Sequence, residues 1–99
     1  MPEYRLSGKA DEDLGGIYVF SYQRFGEARA DAYLLALEER FSILADQPSL
    51  GRRIDHIREG YLRWDHESHS IFYKTTEDGI IVMRVLHTMR DMRPLLSEE

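Results

Sequence analysis

The spacing of apolar residues changes twice along this chain. From Glu3 to Leu6 polar and apolar positions alternate, the period of a short strand. From Leu14 the period lengthens: Leu14, Ile17, Tyr18, Ser21, Tyr22 and Phe25 recur at intervals of three and four, which predicts an amphipathic helix. Ser7 suits its N-cap, and Asp11, Glu12 and Asp13 put negative charge at the end the helix dipole favours. Gly26 supplies a stop. Gly15-Gly16 weakens this helix by about 1 kcal/mol per residue relative to alanine, so the pair is expected where another backbone comes close.

A second helix is predicted over 28–45, with Ala30, Tyr33, Leu34, Leu37, Phe41 and Leu44 on one stripe and Pro48 beyond its end. Two helices joined at a single glycine fold back as a hairpin. Residues 48–59 have no period and read as a connecting loop, with Ile54 and Ile57 turned inward. The period then shortens to that of strands over 60–64, 69–73 and 80–86, all rich in β-branched and aromatic residues. Asp78-Gly79 is a hairpin signal, and Asp65-His66-Glu67-Ser68 is a polar break of turn length. Residues 88–99 form a polar tail in which Pro94 discourages a long helix and Leu95-Leu96 can dock elsewhere. The order β-α-α-β-β-β predicts an α+β domain spanning 1–99, with a helical hairpin covering one face of a small sheet.

Composition narrows the class. A hydrophobic fraction of 42% with 31% charged residues is that of a folded chain and excludes a disordered one. With no cysteine, disulfides, thiolate zinc sites and cysteine nucleophiles are all excluded. No apolar run approaches the roughly 20 residues of a membrane helix, and the N-terminus lacks the apolar stretch of a secretory signal. A cytoplasmic protein without membrane contact is expected. The net charge of −5 argues against wrapping nucleic acid, because phosphate binding needs a clear basic excess. The first fifty residues hold 5 basic and 9 acidic side chains and the remainder 8 and 9, so any basic patch is local.

Four polar side chains in the strand region need a chemical account: Arg63, Tyr73, Arg84 and His87. Strict alternation places Val82, Arg84 and Leu86 on one face and Met83, Val85 and His87 on the other. Arg84 either pairs with an acid such as Asp65 or lies on a partner-binding face, since a lone buried arginine is costly. His87 can serve as a general acid or base, or cap the strand through backbone hydrogen bonds. His66 and His69 supply two metal ligands where zinc wants three or four, so no metal and no cofactor are expected. Tyr61, Trp64, Phe72 and Tyr73 read as packing residues, with Tyr73 the best candidate for exposure because its hydroxyl needs a partner.

Three stretches together resemble the ParE branch of the RelE/ParE superfamily of bacterial toxin–antitoxin systems. They are YRLSGKADEDLGGIYVFSYQRFG, GYLRWDHESHSIFYK and IIVMRVLHTMRD, in order and spanning nearly the whole chain. The resemblance implies a helical hairpin on a small, mainly antiparallel sheet. It also implies inhibition of DNA gyrase, with no catalytic residues, and neutralisation by a ParD-like ribbon-helix-helix antitoxin. Operator DNA would be reached only through that antitoxin. Candidate antitoxin contacts are Leu14, Tyr18, Tyr22, Tyr33 and Leu37 on the helices and Arg63, Tyr73 and Arg84 on the sheet. Candidate target contacts are His87, Arg90 and Arg93. The RelE branch cleaves mRNA on the ribosome, and on that alternative Arg63, Arg84 and His87 would surround the scissile phosphate. The acidic balance and the absence of a tyrosine after His87 favour the ParE branch.

Overall fold

In the computed structural model, which describes residues 2–96, β1 (Glu3–Leu6) runs directly into α1 (Gly8–Phe25). Ser7 makes the junction. Its hydroxyl accepts the Ala10 N–H at 3.0 Å and donates to the Met83 carbonyl at 2.8 Å, so one side chain caps the helix and ties it to the sheet. At the far end Gly26, at φ 89, donates its N–H to the Tyr22 carbonyl and opens α2 (Glu27–Asp46). That backbone conformation is one that side-chain-bearing residues avoid, which is why a single glycine can reverse the chain.

A short turn of 3-10 helix over Pro48–Leu50 leads to β2 (Arg52–Arg53), β3 (Leu62–His66), β4 (His69–Thr76), β5 (Gly79–His87) and a one-turn α3 (Arg93–Leu96). The sheet order is β1-β5-β4-β3-β2, with β1 parallel to β5 and the remaining pairs antiparallel. The expected α+β, mainly antiparallel architecture is present. β2 is an addition that a two-residue strand cannot announce through periodicity.

The hairpin buries Leu14, Leu37, Phe41 and Leu44 against Ile71, Tyr73, Ile80 and Val82. The opposite face of the sheet is also covered. There Tyr61, Phe72 and Leu86 pack with Ile54 from the loop and Leu96 from α3. Ile54 turns inward as expected, and Leu96 finds its dock on this second cluster. Both faces of β4 are therefore dry, which accounts for its run of four consecutive buried residues, Ser70 to Tyr73.

Three expectations need correction. Phe72 pairs with Arg84 but Tyr73 pairs with Val82, so Met83 is an extra residue that bulges β5. The bulge resets the alternation: Val82 and Val85 both join the helix-side core, while Leu86 joins the other cluster. Tyr73 is not exposed but fully buried. Its hydroxyl finds its partners inside the fold, donating to the Pro48 carbonyl at 2.6 Å and accepting the Gly51 N–H at 2.9 Å. A Cβ on Gly51 would collide with that hydroxyl, which explains the glycine. Finally, α1 runs unbroken through Gly15-Gly16, and apart from the adjoining residues and backbone of the helix itself no atom comes within 4 Å of where either Cβ would stand. No backbone of this chain uses the space.

Tyr73→Phe keeps the ring and leaves the Pro48 carbonyl and Gly51 N–H without their partner. The expected loss is about 1–3 kcal/mol, read as a lower urea midpoint at unchanged m-value. A midpoint equal to the parent's would mean that the ring alone holds the loop.

Candidate functional site

At the turn between β3 and β4, His66 and His69 form the closing pair, leaving Glu67 and Ser68 as the turn with Glu67 at φ 50. Across β4 and β5, His69 lies opposite His87, their rings meeting edge to face at 5.7 Å between centroids. From α2 the Tyr33 hydroxyl shares a 2.7 Å hydrogen bond with His69 Nδ1, and its ring lies 5.9 Å from that of His66. Three imidazoles and a phenol thus form a connected row. Burial lowers the pKa of His69, and the neighbouring His87 and His66 lower it further. Burial also raises the pKa of Tyr33, with the Glu67 carboxylate adding to the effect.

Tyr33, His69 and His87 of this row line one side of a groove of about 860 Å³ between the helical hairpin and the end of the sheet. Phe20 and Phe25 of α1 line it too, 58% and 54% exposed. Gly16 leaves a gap in the α1 wall, and Arg29 and Arg90 add cations. The Arg29 guanidinium packs 5.8 Å from the Phe25 ring centroid. Aromatic surface left in water beside ordered cations is the signature of a polypeptide-binding face.

Behind the groove lies a buried clasp. Arg84 donates from Nε and Nη2 to the Asp13 carboxylate at 2.8 and 2.9 Å, and Asp13 Oδ2 also accepts the Val85 N–H at 3.0 Å. Arg84 thus pairs with an acid, as one of its two readings had it, but the acid is Asp13 and not the Asp65 offered as an example. Asp65 instead accepts Arg63 Nε at 2.8 Å and the Ser70 hydroxyl at 2.7 Å. Partial burial pushes the Asp65 carboxyl up, and these two hydrogen bonds, together with the charges of Arg63 and Arg52, outweigh it and hold the group below its ordinary range.

The predicted site residues separate accordingly. Tyr33, His87 and Arg90 meet in the groove. Leu14, Leu37 and Tyr73 are core residues, and Arg84 is held in the clasp, so these four offer no docking surface. Tyr18 and Tyr22 lie one turn apart on α1; the Tyr18 hydroxyl donates to Asp31 at 2.6 Å, and that bond pushes its pKa up to about 12. Arg63 lies over Phe72, with Nη1 3.3 Å from the Met92 sulfur, on the sheet face away from the hairpin. Arg93 opens α3 and is exposed. His87 Nδ1 accepts the Met89 N–H at 3.2 Å, the local backbone bond foreseen for it. Phe20, Arg29 and His69 were missed. Phe20 carried a signal, a large aromatic standing off the core stripe of its helix. Among the described residues no group of three or more histidine, aspartate or glutamate side chains is placed to hold a metal ion.

The fold and this groove define a small α+β protein of the hairpin-on-sheet type whose exposed site suits a polypeptide. Residues 4–92 match the family described as ParE toxin of type II toxin-antitoxin system, parDE. The chain is 39% identical over 90 residues to Toxin ParE1 of Mycobacterium tuberculosis, covering 90% of this chain and 92% of that one. To Toxin ParE1 of Caulobacter vibrioides it is 34% identical over 97 residues, covering 98% and 100%. A solved chain from the chromosomal ParDE TA system of P. aeruginosa superposes with a TM-score of 0.75 at 19% identity, covering 88% of this chain and 96% of that one, which shows a shared fold. The chain belongs to the ParE toxin family of type II toxin–antitoxin systems.

Asp13→Ala leaves Arg84 buried without its carboxylate and Val85 without its acceptor. The expected cost is about 3–5 kcal/mol, a large share of the 5–15 kcal/mol typical of a domain. Pairing Asp13→Leu with Arg84→Met should restore the part due to the buried charge, leaving the cost of the Val85 N–H without its acceptor. Urea unfolding of both variants is the check, and a loss under about 1 kcal/mol for Asp13→Ala would remove the clasp from the account of stability.

The His69 shift has a definite sign. Its folded pKa lies below the unfolded value of about 6.5, so the fold favours the neutral ring. That contribution is complete above the unfolded pKa and is lost as pH falls through the lower folded value. Between about pH 7.5 and about pH 5 the urea midpoint of the parent should fall further than that of His69→Gln. Equal falls would assign the dependence to other groups.

Proposed function

We propose that this chain arrests growth by binding DNA gyrase and that a ParD-like ribbon-helix-helix antitoxin neutralises it by occupying the groove. The observation that carries this reading is the family match across residues 4–92. The residues support protein binding over catalysis. Arg63, Arg84 and His87 would have to converge on one phosphate in a nuclease, and they occupy three different environments. Arg84 is held by Asp13, Arg63 is engaged by Asp65 and Met92 beyond the sheet, and His87 faces the groove. Stabilising a phosphoryl transition state needs several converging cations.

Two of the three candidate target contacts, His87 and Arg90, line the groove, while Arg93 stands outside it. An antitoxin segment in the groove would cover the first two, so neutralisation works by occlusion. Tyr33 contributes to that contact, with Tyr18 and Tyr22 beside it on the hairpin. The toxin acts in the cytoplasm, where gyrase is, and operator DNA is bound through the antitoxin. No helix among the described residues is long and apolar enough to cross a membrane.

Purified gyrase, titrated with this protein in supercoiling and cleavage assays, tests the reading. Expected are loss of supercoiling, trapped cleaved DNA, and relief of both on adding the antitoxin encoded beside the chain. No effect on gyrase, together with ribosome-dependent mRNA cleavage that His87→Ala abolishes, would assign the nuclease activity instead.

A further inference from the structure

Past β5 the chain makes an ordered turn. The Thr88 N–H donates to the Ser68 carbonyl at 2.9 Å, the Met89 N–H to His87 Nδ1 at 3.2 Å and the Arg90 N–H to the His87 carbonyl at 2.9 Å. Successive backbone donors are thus taken up, and the Arg93 N–H bonds Asp91 Oδ1 at 3.1 Å. The far side is fixed as well: Met92 turns in to the Arg63 guanidinium, and Leu96 is buried in the second cluster. Between these anchorages stands Met89, with 86% of its surface in water.

A single exposed apolar side chain is ordinary on a protein surface. Met89 is set apart first by degree. It is the most exposed large apolar side chain among the described residues, and the next, Leu35, is at 64%. Its backbone is already held on both sides, so a partner has little of the turn left to order. The stretch around it also has the composition of an interface. Met89-Arg90-Asp91-Met92-Arg93 holds two of the chain's four methionines, and from Thr88 to Leu96 there is no lysine or glutamate. Protein interfaces are enriched in methionine and arginine and depleted in lysine and glutamate. The unbranched thioether adapts its shape to the pocket it enters.

The charges nearby select the kind of partner. The exposed residues Arg90, Asp91 and Arg93 carry both signs, and exposed Glu67 precedes the Ser68 on which the turn is hung. A run of phosphates would meet carboxylates here as well as guanidinium groups, which favours a protein surface over nucleic acid. A protein supplies the complement, an apolar pocket with a polar rim. His87 and Arg90 line the groove and Met89 does not, so the methionine stands just outside the channel, beside two of the residues assigned to the target.

Resting on the gyrase reading above, we propose that Met89 is the apolar anchor of the target contact. It seats in a pocket on a gyrase subunit, with Arg90 and Arg93 on the polar rim. An antitoxin lying over His87 and Arg90 then blocks the anchor's approach without having to bury it.

The test is a gyrase supercoiling assay with the parent, Met89→Leu, Met89→Ala, Met89→Glu and, as a surface control on α2, Leu35→Glu. All should melt close to the parent, since surface positions without internal contacts are nearly neutral. Met89→Ala should raise the concentration for half inhibition about tenfold and Met89→Glu about a hundredfold, the range of an interface anchor. Met89→Leu keeps the volume and should stay within about threefold, and Leu35→Glu within about twofold. Parent-like inhibition by Met89→Glu would overturn the anchor while leaving the gyrase reading intact. Equal losses for Met89→Glu and Leu35→Glu would assign the effect to surface charge and overturn it too. Met89-dependent binding to duplex DNA without gyrase would overturn the choice of a protein partner. A parent without effect on gyrase would remove the gyrase reading and this inference with it.

Discussion

The Asp13 carboxylate is the point on which the architecture turns. β1 is only four residues long and accompanies β5 no further than Val82, so beyond that residue β5 would present an open edge. The chain closes it with its own first helix. Ser7 takes the Met83 carbonyl, and one Asp13 carboxylate receives both the Val85 N–H and the Arg84 guanidinium. These contacts bracket the bulge at Met83 and fix α1 along the strand. Without the bulge Val82 and Val85 would point to opposite faces, and with it both reach the helix-side core. Because α1 is anchored at its start, its second half from Gly16 onward is held over the end of the sheet, and the groove is the space beneath it.

How much of this was legible follows from the range of the forces involved. Local signals read correctly: the Ser7 cap, the Gly26 reversal and the last three strands all depend on a few neighbouring residues. That Arg84 pairs with an acid was foreseen, but not which one, because Asp13 lies 71 residues away on another element, whereas Asp65 is a nearby acid in the same meander. Tyr73 was misread for a related reason. A hydroxyl needs a partner, but the Pro48 carbonyl and Gly51 N–H, which supply one inside the fold, appear in no sequence pattern. Period-two reasoning failed at one residue, Met83, and a bulge of one residue inverts every assignment beyond it.

The groove was only half visible. Tyr33, His87 and Arg90 were singled out for separate reasons, and their meeting is a product of tertiary structure. The expectation that the core stripe of α1 would also be the docking stripe was mistaken at Leu14, because a residue buried against the sheet has no surface left for a partner. The informative residues stood off that stripe. Phe20 is a large aromatic where amphipathicity wants a polar residue, and Gly16 is a flexible residue where helix stability wants alanine. Both break the local rule, and both sit on the same channel.

Such rule-breaking carries information because it is costly in the free protein. Two exposed phenylalanines and a mid-helix glycine lower solubility and helix stability, and the cations of Arg24 and Arg29 over the two rings leave more than half of each phenylalanine in water. A core residue can be explained by the molecule that contains it; these residues cannot. A toxin neutralised by an antitoxin, as proposed for this chain, would face this asymmetry directly, because the surface to be covered would be shaped for the complex. If an antitoxin occupies the groove as proposed, the same geometry would let a small acidic protein be silenced without distortion of its fold. On the proposed reading the clasp at Asp13 and the core beneath the hairpin would stay as they are, and only the groove that carries His87 and Arg90 would be withdrawn from solvent.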